Sequence, residues 1–103
     1  MTPSPVDSTR AALETALRHG LPFEGLRDFE PDPRLFHYVP PAYAVQHRLL
    51  PLVIVGDTLK VASATPEPDL SLLRTRFPYL TVDIVIAPGP EIDRILERAH
   101  GGA

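Results

Sequence analysis

The sequence predicts a small α+β fold: a three-stranded sheet packed with helices, preceded by a helical N-terminal third. Three observations predict it. Two β-rich runs, "LLPLVIV" and "TLKVASA", flank the turn pair Gly56-Asp57, which reads as a β-hairpin over 49–55 and 58–64. A third run, "LTVDIVIA", follows a helical stretch, and a strand, helix, strand passage of this length favours a right-handed crossover with the third strand parallel to the second. The 103 residues, 44% hydrophobic and 22% charged, supply one core and no more. A single domain is expected over 1–103, with a helical part at 8–48 and an α+β core at 49–100.

The elements follow in order. After a loose Pro-containing start, Asp7 or Ser8 is placed to cap a helix in which Ala12, Leu13, Ala16 and Leu17 recur at helical spacing, and Gly20 stops it. Asp32 before Pro33 sets a capping acid ahead of a proline at the first helical position, so "DPRLFHYV" reads as a short helix ended by Pro40. Pro41 starts another, "PAYAVQHR", with Tyr43, Ala44 and His47 on one face. Pro51 lacks an N–H and belongs at an edge or at the start of its strand. "TPEPD" leads into a helix over about 68–77, with Leu70, Leu73 and Phe77 inward, and Pro78 stops it. In the third strand Leu80, Val82, Ile84 and Ile86 alternate with Thr81, Asp83 and Val85, which suggests one buried face and one partly buried. Pro90 opens a last helix with an apolar stripe of Ile92, Ile95, Leu96 and Ala99, ended by Gly101-Gly102.

Composition excludes several function classes. The net charge is -3 and the ten basic residues are scattered from Arg10 to Arg98, so binding to nucleic acid through phosphate neutralisation is not expected. There is no cysteine, hence no disulfide and no thiolate nucleophile or ligand. "MTPSPVDSTR" has no apolar run after a basic segment, and no stretch approaches the roughly 18 to 20 apolar residues of a membrane span. A cytoplasmic protein without direct membrane insertion is expected. The 13 prolines, and nine arginines against the single Lys60, speak to chain stiffness or genome composition rather than to activity.

No catalytic set emerges. His19, His37, His47 and His100 fall on different elements without the close spacing of a helical metal pair, so no metal is expected and solvated or packing roles suffice. Asp28, Glu30 and Asp32 form an acidic patch, but acid–base chemistry also needs a cleft and an oriented partner. A turn acid plus a helix cap accounts for it. The glycines give neither G-x-x-x-x-G-K nor G-x-G-x-x-G, and no serine sits in G-x-S-x-G, so no cofactor and no enzymatic activity are expected.

Gly20 to Phe29, "GLPFEGLRDF", is unusually apolar for a segment broken by Gly20, Pro22 and Gly25. Leu21, Phe23, Leu26 and Phe29 are the candidate partner-binding residues if they form an exposed patch. The competing reading makes Phe23 and Leu26 anchors that tack the loop to the core.

"GLPFEGL" at 20–26, "DPRLFHYVP" at 32–40, "HRLLPL" at 47–52, "GDTLKVASATP" at 56–66 and "VIAPGPEIDRILERA" at 85–99 occur together in one order and spacing. In this the chain resembles the N-terminal domain family of type II secretion and type IV pilus assembly ATPases, the general secretion pathway protein E N-terminal family. The resemblance implies a non-catalytic adaptor or regulatory module that docks a motor or effector on a protein of a secretion or pilus platform. Relatives also occur on glycosyltransferases and response regulators, and a subset binds cyclic di-GMP. That subset carries an Arg-Leu-Gly segment ahead of the helix and a glutamine at its end, where this chain has "MTPSPVDS" and Arg18. Many relatives read Ala-Asp-Pro after the second strand, against Ala64-Thr65-Pro66 here. Cyclic di-GMP binding, which draws on arginine contacts and stacking surfaces, is therefore the alternative rather than the leading expectation.

Overall fold

The computed structural model describes residues 5–101, and side-chain surroundings over 8–99. In chain order the elements are α1 (Pro5–His19), a 3-10 turn (Pro33–His37), α2 (Pro41–His47), β1 (Leu49–Val55), β2 (Thr58–Ser63), α3 (Ser71–Arg76), β3 (Thr81–Ile86) and α4 (Gly89–Gly101).

The three strands make one mixed sheet in the order β1-β2-β3, antiparallel across the hairpin and parallel between β2 and β3. Gly56 supplies the positive φ of 59° that the two-residue hairpin loop requires. Pro51 pairs with Val61 and Val53 with Lys60, so Leu52 is an extra residue, a bulge just after the proline. Burial divides the sheet along its length. At the Ser63 and Ile86 end, adjacent residues, which point to opposite faces, are all buried: Ala62 and Ser63, Val85 and Ile86. At the hairpin end Leu59 is buried while Val53 and Val55 are 45% and 71% exposed, so one face there is open.

The main core gathers Leu26, Leu35, Val39, Ala44, Leu49, Leu50, Leu59, Val61, Leu73, Ile92, Ile95 and Leu96 from every part of the chain except α1. Ala12 and Ala16 of α1 form a separate small cluster with Ile86, against which Leu21 and Phe23 pack.

Several expectations are corrected. Asp7 and Ser8 lie inside α1 rather than capping it. Among its described residues only Ala12 and Ala16 are buried; Leu13 and Leu17 are 41% and 82% exposed, because i, i+4 alanines bring the helix close while the leucines sit about 100° round. The segment after Asp32 is a 3-10 turn with bonds from Leu35 N–H to the Asp32 carbonyl and from Tyr38 N–H to the Leu35 carbonyl, since a few residues between the cap and Val39-Pro40 leave little room for an α-helical ladder. The helix expected over 68–77 is Ser71–Arg76; Pro68 remains outside it, and the Asp69 carboxylate accepts the Ser71 N–H at 2.9 Å. Ala99 faces solvent, Ala64 falls outside β2, and α4 begins at Gly89. The start at 1–4 and Gly102 lie outside the described residues.

Candidate docking site

The segment from Gly20 to Phe29 is built into the fold by its backbone. Gly20 takes φ 64°, and α1 ends with Leu21 N–H on the Ala16 carbonyl (2.9 Å) and Gly20 N–H on the Leu17 carbonyl (3.4 Å), the paired bonds of a Schellman motif. The apolar contact that accompanies such a motif is Leu21 against Ala16. From there the chain runs parallel to β3: Ile86 donates to the Pro22 carbonyl (2.8 Å) and accepts from Glu24 N–H (2.9 Å), bracketing one bridge between Phe23 and Ile86. This short pairing covers the end of β3. Leu26 N–H then donates to Glu91 Oε1 at 2.8 Å, fastening the segment to the first turn of α4.

The four singled-out residues therefore divide. Leu26 is 1% exposed in the main core, so its side chain is an anchor and not part of a surface patch. Leu21 and Phe23 are half-buried against α1 and Ile86. Phe29 is half-buried against the main core and lines a shallow cleft of about 280 Å³ with Glu30, Pro31, Ile95, Arg98 and Ala99. Between them, the Glu24 carboxylate pairs with Lys60 at 3.5 Å; its Oε2 is shielded from solvent and accepts no hydrogen bond, so the pair is electrostatic only.

Above this segment stands α1. Its alanine face is spent on Ile86, Leu21 and Phe23, and its outward leucines are flanked by exposed Arg10, Glu14 and Arg18. The spacing of Leu13 and Leu17 was visible in the sequence, but only the placement of Ala12 and Ala16 tells which half of the apolar stripe is inside.

Elsewhere, charged groups hold local structure. Arg48, at the end of α2 with φ 51°, makes a two-pronged pair with Asp93 of α4 at 3.0 and 2.7 Å, and its guanidinium lies over Gly89. The side-chain and backbone hydrogen bonds from Arg34 hold the Asp32 carboxyl below the usual aspartate range. The bond from Ser71 does the same for Asp69. Asp28 and Glu30 are exposed, and His19, His37 and His47 stay on separate elements. Among the described residues no three His, Asp or Glu side chains are grouped to hold a metal, and no helix is long and apolar enough to cross a membrane.

A mixed three-stranded sheet, helices around it and a loop-end segment pairing with β3 define a small α+β module. The chain belongs to the MshEN domain family, whose model matches residues 19–103. α1 thus lies almost wholly ahead of the matched part. Among solved structures, one of MshE with cyclic di-GMP superposes with a TM-score of 0.69 at 24% identity, covering 94% of this chain and 69% of that one. The N-terminal domain of XpsE superposes with a TM-score of 0.71 at 23% identity, covering 88% of this chain and 65% of that one. Both likenesses are of fold. No curated protein matches the sequence. The chain resembles the N-terminal domains of secretion and pilus ATPases.

Proposed function

We propose that the chain is a non-catalytic interaction and regulatory module that docks a motor or effector on a protein of a secretion or pilus platform. The observation that carries this reading is the two-faced packing of α1: Ala12 and Ala16 attach the helix, while Leu13 and Leu17 stand in solvent at 41% and 82% exposure. Leucines so placed gain most when a second surface covers them. The half-buried Leu21 and Phe23 pack beneath the helix, Leu26 holds their loop to the main core, and half-buried Phe29 lies apart from them at the cleft beside α4. Family membership supports the reading.

The test is a pull-down from the source cell, with retained proteins identified by mass spectrometry. Wild type is expected to retain a secretion or pilus platform protein, and a Leu13→Asp, Leu17→Asp variant to lose it with thermal stability unchanged. Equal recovery by both proteins rules the α1 face out.

Binding of cyclic di-GMP is the second reading, favoured by the structure of MshE with that nucleotide. Arg18 and Thr65 weigh against it, since they stand where the resemblance leads one to expect a glutamine and an aspartate. Calorimetric titration with cyclic di-GMP is expected to give no saturable heat. Saturable binding reverses the order of the two readings.

A further inference from the structure

Four aromatic rings meet on the surface where the 3-10 turn approaches the end of α3. Tyr38 and Phe77 pack edge to face at 5.1 Å between centroids and rest on the main core. His37 joins them at 5.3 Å from Tyr38 and 5.7 Å from Phe77, and Tyr79 stands perpendicular to Phe77 at 6.4 Å. His37 is exposed and Tyr79 is 63% exposed, so a ladder rooted in the core presents both ends to solvent. Packing alone does not require this, because buried Leu35 and Leu73 already join these elements to the core.

The stretches that build the ladder carry charge of one sign. The stretches that build it, 33–56 and 70–82, contain no Asp or Glu at all, in a chain whose net charge is -3. Arg74 precedes Phe77 by one helical turn, Arg34 precedes His37 by one 3-10 turn, and Arg76 adjoins Phe77; all three arginines are exposed. Of the acids bordering these stretches, Asp32 is bound to Arg34, Asp69 accepts the Ser71 N–H at the far end of α3, and Asp83 lies on β3 beyond Tyr79; Asp57, exposed in the hairpin turn and joined to Thr81 by its carbonyl, keeps its charge. Arg74 and Arg76 have no ion pair among the described residues.

We infer that this aromatic and basic surface binds an acidic, extended segment of a partner protein, with an aromatic or aliphatic side chain laid on Tyr79 and carboxylates set against Arg74 and Arg76. Tyrosine and arginine are the side chains that anchor protein interfaces, and the charge pattern is complementary to an acidic partner. A nucleic acid strand fits less well. The rings stand at 60° to 89° to one another along the Tyr38, Phe77, Tyr79 path, so they turn edges to their neighbours and offer no row of parallel faces for successive bases. The surface shares no residue with the α1 face, so the two succeed or fail separately.

The probe is a short fluorescein-labelled peptide of alternating Glu and Phe, with a Gln and Phe peptide and an oligothymidine for comparison. Fluorescence anisotropy is expected to show salt-sensitive binding of the Glu peptide alone, and amide resonances of 34–38 and 74–80 to shift. Arg74→Ser with Arg76→Ser is expected to weaken binding roughly five- to tenfold, the size that two exposed interfacial charges produce. Tyr79→Ser, a solvent-exposed change, reads the aromatic part independently and is expected to weaken binding too. Absence of Glu-peptide binding, equal binding of the Gln peptide, tighter binding of oligothymidine, or shifts confined to other residues each overturns the inference.

Discussion

Arg48 shows how much a single residue arranges here. It sits at φ 51°, a backbone conformation that costs a non-glycine residue about 1–2 kcal/mol. Its guanidinium is held by Asp93 at 2.7 and 3.0 Å, with side chains 44% and 52% exposed. The pairing is possible because Gly89 has no Cβ: one placed there would lie 2.4 Å from Nη2. Gly89→Ala is therefore expected to push the flexible guanidinium aside rather than to disturb the backbone. Because exposed pairs contribute about 0–1 kcal/mol, the loss of stability stays under roughly 1 kcal/mol. The informative measurement is the cycle with Arg48→Ala in chemical denaturation: the two changes are expected to be non-additive, the double variant being no less stable than Arg48→Ala alone. Full additivity would separate the glycine from the arginine.

At the scale of elements, the β-rich runs about Gly56-Asp57 made the hairpin legible, apolar alternation made β3 so, Pro41 and Pro90 marked α2 and α4, and Asp32 was legible as a cap. The 3-10 geometry was not, because capping signals mark where a helix begins without fixing its hydrogen-bond period. The pairing of 22–24 with β3 was not legible either. It consists of one bridge next to Pro22, with no alternation to betray a strand, and its partner Ile86 is distant in sequence. For the candidate site this matters directly: sequence alone leaves open whether Phe23 and Leu26 join an exposed patch with Leu21 and Phe29 or anchor the loop, and the burial of Leu26 beside the Glu91 bond decides that Leu26 turns inward. α3 carries a pH prediction. Asp69 has its carboxyl lowered from the ordinary 3.8 by the Ser71 hydrogen bond, so its contribution is present above that value and is lost as pH falls through the folded-state value. The difference in Tm between wild type and Asp69→Ala is expected to be largest near neutrality and to shrink as pH falls below the usual aspartate range. Asp69→Asn, whose amide oxygen can accept the same Ser71 N–H without the charge, is expected to fall between wild type and Asp69→Ala at neutral pH and to lack the pH dependence. A difference independent of pH would assign the effect to something other than the charge on Asp69.

Over the whole molecule, the division into a main core and a small α1 cluster has an energetic reading. The residues of the main core come from 26–96, whereas α1 contributes two alanines to the other cluster. Cutting the chain to 20–103 is expected to leave a folded protein with near-UV dichroism intact. It uncovers Ile86, Leu21 and Phe23 on one side, on the order of 100 Å² of apolar surface, or about 2–3 kcal/mol at ~25 cal/mol per Å². Calorimetry would register this as a lower Tm with a single transition. Loss of cooperative melting would show α1 to be integral to the core.

The bond from Leu26 N–H to Glu91 joins groups 65 residues apart, and the Phe23 bridge to Ile86 spans nearly as far. Contacts of such separation form only after the intervening chain exists and has been brought back on itself. On the ribosome, then, the apolar 21–26 segment emerges early and waits, unpaired, until β3 and the first turn of α4 leave the exit tunnel. During that interval its apolar side chains lack the surfaces that cover them in the folded chain.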